Sequence, residues 1–108
     1  MNGEDSQITI ARAQAMVDQW IRTVGHGYHS VLTNTAVLAE ETGEVARCMA
    51  RLHGDQVAKP GDSLDPADEL ADLLWVLMAL ANQTGVDLTA AFKANLAKKT
   101  ARDAHRFG

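Results

Sequence analysis

The sequence is poor in the residues that build disulfide-rich, β-rich or membrane proteins. It contains one cysteine, Cys48, which can close no disulfide within the chain and cannot build a cysteine-rich metal site. Aromatic residues make up 5% of the chain and only 2 residues are proline, whereas alanine and leucine are abundant, which favours helices over a β-sandwich or barrel. No stretch approaches the roughly 18 apolar residues of a membrane span. For 108 residues, these features predict one all-α domain, residues 1–108.

Positive charge is also scarce. The chain carries 10 basic and 14 acidic residues, a formal net charge of −4, whereas broad binding to nucleic acid or anionic membranes needs a basic surface. Glu4 and Asp5 stand where an export signal would be basic, and the lone cysteine fits a reducing compartment. We therefore expect a cytoplasmic protein with neither a nucleic-acid nor a membrane partner.

Hydrophobic periodicity predicts four helices separated by glycine-containing turns. The clearest start signal is Asp65 followed by Pro66, an N-cap and a proline at the first helical position. The turn-rich segment before it is predicted to be an exposed, mobile loop. The predicted elements are helix one over about residues 8–24, helix two capped by Thr33 or Asn34 and ending near Gly54, the loop over about 54–64, helix three from Asp65 to about Thr84, and helix four from Asp87 or Thr89 to about Arg102.

Two of these helices carry carboxylates where apolar side chains are expected. On a helical wheel of about 100° per residue, Glu41 lies at the centre of the apolar stripe of helix two, and Glu44 lies at its edge. Glu69 and Asp72 repeat this arrangement on helix three. Burying one unpaired carboxylate costs several kcal/mol, so four that converge require a cation. Oxygen ligands without histidine or cysteine favour Mg²⁺, with Mn²⁺ as a substitute, over Zn²⁺.

Two other interpretations of these acids differ in what they require. A solvated acidic face would pair with nearby bases, Arg47 or Arg51, and stays open as an alternative. A di-iron bundle needs Glu-x-x-His on two helices, whereas the corresponding positions hold Glu44 and Asp72, so the sequence disfavours it.

Basic residues collect at the C-terminal end of the chain. Residues 93–106 hold five bases and one acid. On the wheel of helix four, Lys99 and Arg102 lie on the face of Asn95, which prolongs the apolar stripe, and Lys98 lies at its edge. Such a row suits phosphate binding beside a metal, although bases at a helix C-terminus also interact favourably with the helix dipole. Both explanations remain open.

A family resemblance is carried by two segments, EETGE at residues 40–44 and ELADLLW at residues 69–75. They resemble the paired E-x-x-E and E-x-x-D motifs of the MazG-like nucleotide pyrophosphohydrolases, the all-α NTP pyrophosphatase superfamily. The segment KKTARD at 98–103 resembles the closing K-x-x-x-R-D stretch of the family, whereas Phe107 stands where members often carry tryptophan. The residues implied are Glu41, Glu44, Glu69 and Asp72 as Mg²⁺ ligands and catalytic residues, and Lys98 and Arg102 as phosphate-binding residues, to which the wheel adds Asn95 and Lys99.

The resemblance also implies an activity and an assembly. Members of this family cleave nucleoside triphosphates between the α- and β-phosphates and release a monophosphate and pyrophosphate. Many are dimers or dimers of dimers, so a nucleotide substrate and a homo-oligomer are expected. Three alternatives compete: a phosphoribosyl-ATP pyrophosphohydrolase, a non-catalytic nucleotide-binding module and a purely structural helical oligomer.

Four residues that precede helix two are candidates for contact with a nucleotide base, through stacking or edge hydrogen bonds. They are Trp20, His26, Tyr28 and His29. The alternatives are a core position for Trp20 and simple solvation for the two histidines.

Helix three is apolar nearly all round. Besides its stripe it carries Leu70, Leu74, Leu77 and Met78, and Trp75 lies opposite the acids. A domain of this size can hardly bury such a helix alone, so other subunits should cover part of it. We expect a self-associating four-helix domain with helices two and three as its central antiparallel pair.

Overall fold

The chain folds into four helices in a computed structural model, which describes residues 7–62 and 64–107, with side chains through residue 104. No strand occurs in these ranges, as the all-α prediction requires. The helices are α1 Ile10–Thr23, α2 Val31–His53, α3 Pro66–Gln83 and α4 Leu88–Phe107.

The start of α2 differs from the prediction. Its N-cap is Ser30, whose Oγ accepts a hydrogen bond from the Thr33 backbone N–H at 3.1 Å. The predicted caps, Thr33 and Asn34, lie inside the first turn instead, because Ser30 holds the extended backbone that an N-cap adopts. The side chain of Asn34 therefore contacts α3 instead of capping α2.

The boundaries of α3 follow the sequence closely. Asp65 caps the helix, since its Oδ1 accepts hydrogen bonds from the backbone N–H groups of Ala67 and Asp68. Pro66 occupies the first turn, where its missing N–H costs nothing. The helix stops before Gly85, which has the positive φ of 72° that favours glycine.

The fourth helix is longer than predicted. Asp87 precedes it and its Oδ1 accepts hydrogen bonds from the backbone N–H groups of Thr89 and Ala90. The helix continues to Phe107, beyond the predicted end near Arg102, because no glycine or proline interrupts it before the last residue.

The helices α2 and α3 make the most extensive helix contact in the described ranges. They run antiparallel: Asn34 near the start of α2 meets Gln83 at the end of α3, whereas Glu41, further along α2, meets Asp72, earlier in α3. The predicted central pair is therefore confirmed. Any side chain placed one turn further along α2 meets α3 one turn earlier, which brings the two acidic motifs together.

The first helix covers this pair from one side. Val17 and Ile21 of α1 pack against Met78 and Ala79 of α3 in a small buried core, and Leu88 packs on its edge. These residues anchor α1 to the C-terminal half of α3 and position the α1–α2 turn beside α2.

A buried amide, Gln14, fixes the α3–α4 turn against α1. Its Nε2 donates hydrogen bonds to Asn82 Oδ1 and to the carbonyl of Val86, and its Oε1 accepts one from the backbone N–H of Leu88. Asn82 in turn donates to the Gln14 carbonyl. Because Gln14 is buried and its partners lie on the turn, these hydrogen bonds favour one packing of α1 against the turn.

The chain is extended for its size. The fourth helix packs mainly on α1, and its residues 90–102 are exposed. The radius of gyration is 17.1 Å, whereas about 13 Å is typical of a compact domain of this length. In the described part of the chain, no helix is both long and apolar enough to cross a membrane.

Candidate metal centre and nucleotide site

Three of the four predicted metal ligands meet at the α2–α3 contact. Glu41, Glu69 and Asp72 each place one carboxylate oxygen within 4.8 Å of the others. We call these residues the carboxylate trio. Glu69 is buried, Glu41 is half-buried and Asp72 is exposed, so the trio opens to solvent on one side.

Within the trio, Glu41 is acted on by the charges of its neighbours. The pKa of Glu41 is raised, first by burial and then by the negative charges of Asp72, Glu69, Glu44 and Glu40. Within the described ranges, no ion pair joins a basic side chain to the trio. Clustered carboxylate oxygens that repel one another are the donor set that a hard divalent ion neutralises.

Glu44 lies at the margin of this cluster and not within it. Its carboxylate faces Arg47 at 3.7 Å in an exposed ion pair. Its charge still raises the pKa of Glu41, so it lies close enough to act on the trio. The solvated-face interpretation thus describes Glu44, whereas Arg51 pairs with Asp62 of the α2–α3 loop.

A cavity of about 280 Å³ lies beside the trio, between α1, α2 and α3. It is lined by Val37 of α2 and Val76 of α3. Val37 is one helical turn before Glu41, and Val76 is one turn after Asp72, so the cavity adjoins the trio along the helix pair. Its remaining lining includes Trp20, Tyr28, His29, Asn34 and Trp75, and we call it the tryptophan cavity.

The two tryptophans of this cavity contact each other edge to face. The ring centroids of Trp20 and Trp75 are 5.2 Å apart, with an interplanar angle of 88°. Trp20 is 47% exposed and Trp75 is 41% exposed, so the core alternative for Trp20 is wrong. Trp75 was missed as a site residue, since the wheel of α3 alone does not show that α1 brings Trp20 against it.

Comparison with known proteins gives a family match over most of the chain. Residues 29–107 match the MazG nucleotide pyrophosphohydrolase domain. The chain belongs to the MazG family. As a MazG-family member it is a nucleotide pyrophosphohydrolase, which is a hydrolase.

Two solved structures share its fold. The chain is 35% identical to the uncharacterised protein YpjD of Bacillus subtilis (strain 168) over 103 residues, which are 94% of this chain and 93% of YpjD. The crystal structure of B. subtilis YpjD, a candidate pyrophosphatase, superimposes with a TM-score of 0.80 over 91% of this chain and 99% of that one. A Bacillus-conserved MazG protein, a nucleotide pyrophosphohydrolase, is 32% identical, with a TM-score of 0.70 over 83% of this chain and 87% of that one.

The residues of the α1–α2 turn divide into two groups. Tyr28 and His29 line the tryptophan cavity, whereas His26 lies outside its lining and adopts a left-handed backbone with φ of 60°. The hydroxyl of Tyr28 donates a hydrogen bond to Asp18 at 2.6 Å. Burial and this bond raise the pKa of Tyr28. The bond also anchors the turn that carries His29.

The basic residues of α4 lie apart from the core. Lys98, Lys99 and Arg102 are exposed, and Arg102 pairs with the adjacent Asp103 at 3.0 Å. Asn95 lines a separate apolar cleft that includes Leu74 and Phe92. In an isolated chain these side chains therefore face solvent on α4, a helix that packs mainly on α1.

Proposed function

We propose that this MazG-family chain hydrolyses nucleoside or deoxynucleoside triphosphates to the monophosphate and pyrophosphate in a Mg²⁺-dependent reaction. The observation that carries the proposal is the carboxylate trio, whose oxygens lie within 4.8 Å of one another beside an aromatic cavity. A metal site and an adjacent pocket for a flat ring are the two parts that a nucleotide hydrolase requires.

The residues of the trio fit a magnesium ion. Glu41, Glu69 and Asp72 would hold it, and Glu44 would contribute from the margin, with Mn²⁺ as a substitute. When bound, the ion would offset phosphate charge and lower the pKa of a coordinated water. The electrostatics of Glu41 support this assignment: burial and then the neighbouring carboxylates raise its pKa, and a bound cation would offset the repulsion between these charges.

The reaction proposed is attack of water on the α-phosphorus. The new bond joins the water oxygen to the α-phosphorus, the bond from that phosphorus to the α–β bridging oxygen breaks, and pyrophosphate leaves. A carboxylate of the trio, such as Glu41, orients the water and accepts its proton. Lys98 and Arg102, with Asn95 and Lys99, are proposed to hold the phosphates that carry the remaining charge. Because a single chain presents these side chains outward on α4, this part of the proposal requires the predicted association of copies.

The base is assigned to the tryptophan cavity. Its volume of about 280 Å³ suits the base and not a whole triphosphate. The faces of Trp20 and Trp75 offer stacking surfaces, and Tyr28 and His29 provide polar edges. His26 lies outside the lining and is left out of the proposed contacts.

The test is release of pyrophosphate from a panel of nucleotides that includes phosphoribosyl-ATP, assayed with and without Mg²⁺. We expect turnover of at least one nucleoside triphosphate that is lost when the metal is chelated. Turnover of phosphoribosyl-ATP alone would establish the first alternative. Nucleotide binding without any turnover would instead indicate a non-catalytic module.

A further inference from the structure

The amide of Asn34 is buried at the tryptophan cavity. Only 7% of the residue is exposed, and it is part of the cavity lining. A buried amide needs partners for two donors and an acceptor, because leaving such groups unpaired is costly. The hydrogen bonds that Asn34 makes, and those that it leaves unmade, therefore indicate which ligand groups the cavity can bind.

A relay of hydrogen bonds fixes the orientation of this amide. Gln83 donates from Nε2 to the backbone carbonyl of His29 at 2.6 Å, and a carbonyl can only accept. Gln83 must therefore turn its Oε1 towards Asn34, which donates from Nδ2 at 2.8 Å. The backbone carbonyl thus decides which way both amides face.

The relay leaves part of Asn34 unused. In the described ranges, the side-chain hydrogen bond that Asn34 makes is its Nδ2 donation to Gln83, so Oδ1 and the second N–H of Nδ2 have no protein partner. Although the residue is buried, Oδ1 is not among the atoms sealed from solvent, so a ligand in the cavity can reach it. An amide fixed in this way presents an acceptor beside a donor, which is the pattern that pairs with the edge of a nucleobase. The tryptophans of the cavity offer stacking, which differs little between bases. Among the polar groups of the lining, the Tyr28 hydroxyl is already bonded to Asp18 and Asn82, whereas the Asn34 amide has unused hydrogen-bonding capacity in a fixed orientation.

We propose that Asn34 is a specificity-determining residue, and that its Oδ1 accepts a hydrogen bond from an N–H on the edge of the base held in the tryptophan cavity. Gln83 acts as a positioning residue that holds the amide in the orientation that presents Oδ1. The inference rests on the proposed function, because it assigns the base to this cavity. It adds the group that selects among bases.

The experiment measures kcat/KM for the four canonical deoxynucleoside triphosphates with the wild-type chain, Asn34→Leu and Gln83→Met. In Asn34→Leu, kcat/KM for the preferred nucleotide should fall by about 10- to 100-fold, the cost of one unmade hydrogen bond to a buried group. For the least preferred nucleotide, kcat/KM should fall less than about threefold, so the ratio of kcat/KM between the two nucleotides should decrease. Gln83→Met should decrease this ratio by a smaller factor, because Asn34 is still present but its amide is no longer fixed in one orientation.

Thr35→Val is the matched control. Thr35 is exposed on α2 next to Asn34, and its hydroxyl is bonded to its own helix at the Val31 carbonyl. Its change should leave the ratios between nucleotides unaltered. Thermal unfolding of each variant separates lost stability from lost selectivity, and Gln83→Met carries the test if Asn34→Leu does not fold.

Two results would overturn the proposal. One is an equal fall in kcat/KM for all four nucleotides in the Asn34 or Gln83 variant, which would indicate a structural role. The other is a wild-type enzyme that does not discriminate among bases. If the wild type turns over no nucleotide, the same ratios are measured by calorimetric binding of the four deoxynucleoside monophosphates. A binding preference that Asn34→Leu abolishes would then uphold the role of Asn34 although hydrolysis had failed.

Discussion

At the scale of single residues, folding stability and the proposed metal binding make opposite demands on Glu41. Its raised pKa means that the folded chain binds a proton more tightly there than the unfolded chain does. The corresponding stabilisation is present below the unfolded pKa of a glutamate and is lost as pH rises through the folded pKa. Once Glu41 is ionised, and without metal, its charge is therefore less favourable in the folded chain than in the unfolded chain.

Glu41→Gln should abolish detectable Mg²⁺-dependent turnover and leave the metal-free protein as stable as the wild type, or more stable, at pH 7. The neutral isostere relieves burial and repulsion but removes a ligand oxygen. Glu69→Gln should likewise abolish turnover. Pyrophosphate release and thermal unfolding in the presence of a chelator measure the two effects.

The matched control is Glu40→Gln, since Glu40 neighbours Glu41 but is exposed and outside the trio. It should retain more activity than either of the other two changes. If all three variants lose activity alike, or if Glu41→Gln destabilises the metal-free protein, the carboxylates have a structural role and the metal-site proposal fails.

Trp75→Leu should raise KM for the preferred nucleotide by roughly 5- to 150-fold with a smaller change in kcat, because base–aromatic stacking contributes about 1–3 kcal/mol. Trp75→Phe, which keeps a ring, should recover part of the loss. Steady-state kinetics of the two variants test this assignment. A change confined to kcat would contradict a base-binding role for Trp75.

At the scale of elements, the α2–α3 loop is tied to α2 by an ion pair. The guanidinium of Arg51 pairs with the carboxylate of Asp62, and both side chains are largely buried. The same carboxylate accepts a hydrogen bond from the Lys59 backbone N–H, and Arg51 donates to Gln56 at 2.7 Å. The loop predicted to be mobile is thus attached to α2 at a defined point. Hydrogen exchange can measure how much this attachment limits its opening.

Asp62→Asn should increase hydrogen exchange in residues 54–62 at pH 7. The pKa of Asp62 is lowered, first by the Lys59 N–H and also by Arg51, so its stabilisation is present at neutral pH and is lost as pH falls through its folded pKa. The difference between variant and wild type should therefore shrink below about pH 4. An exchange rate that does not differ at pH 7 would show that the pair does not hold the loop.

At the scale of the whole molecule, the outer face of α3 is left uncovered. Leu70, Leu74 and Leu77 are all 40% or more exposed. Two apolar clefts, one reaching α4 and one bordered by α1, both include Leu74. Continuous apolar surface on an extended chain is typical of a subunit interface. The prediction of a dimer or a dimer of dimers stands on this surface, and association would also bring the exposed bases of α4 near another copy.

We expect the wild type to self-associate and Leu74→Glu to be monomeric, because the change places a charge at the centre of the uncovered face. Light scattering at micromolar concentration measures the mass. Leu32→Glu is the control, since Leu32 is 82% exposed on α2 and outside both clefts, and it should leave the assembly intact. A wild-type mass of 11.6 kDa would contradict self-association.

The sequence by itself determined the helices and the pairing of acids. Apolar periodicity located all four helices, and Asp65 with Pro66 marked one boundary because those residues act through their own backbone. Fixed spacing on two helices also placed Glu41 and Glu69 on inward faces, where packing brings them together.

Only the tertiary structure decided which side chains from different helices meet. The N-cap of α2 is Ser30 and not Thr33 or Asn34, and Glu44 lies outside the trio. Trp20 of α1 contacts Trp75 of α3. The Asn34–Gln83 relay joins residues 49 positions apart, and no local pattern encodes such a contact. Spacing within one helix fixes the face on which a residue lies, but the partner across that face is set by how the helices pack.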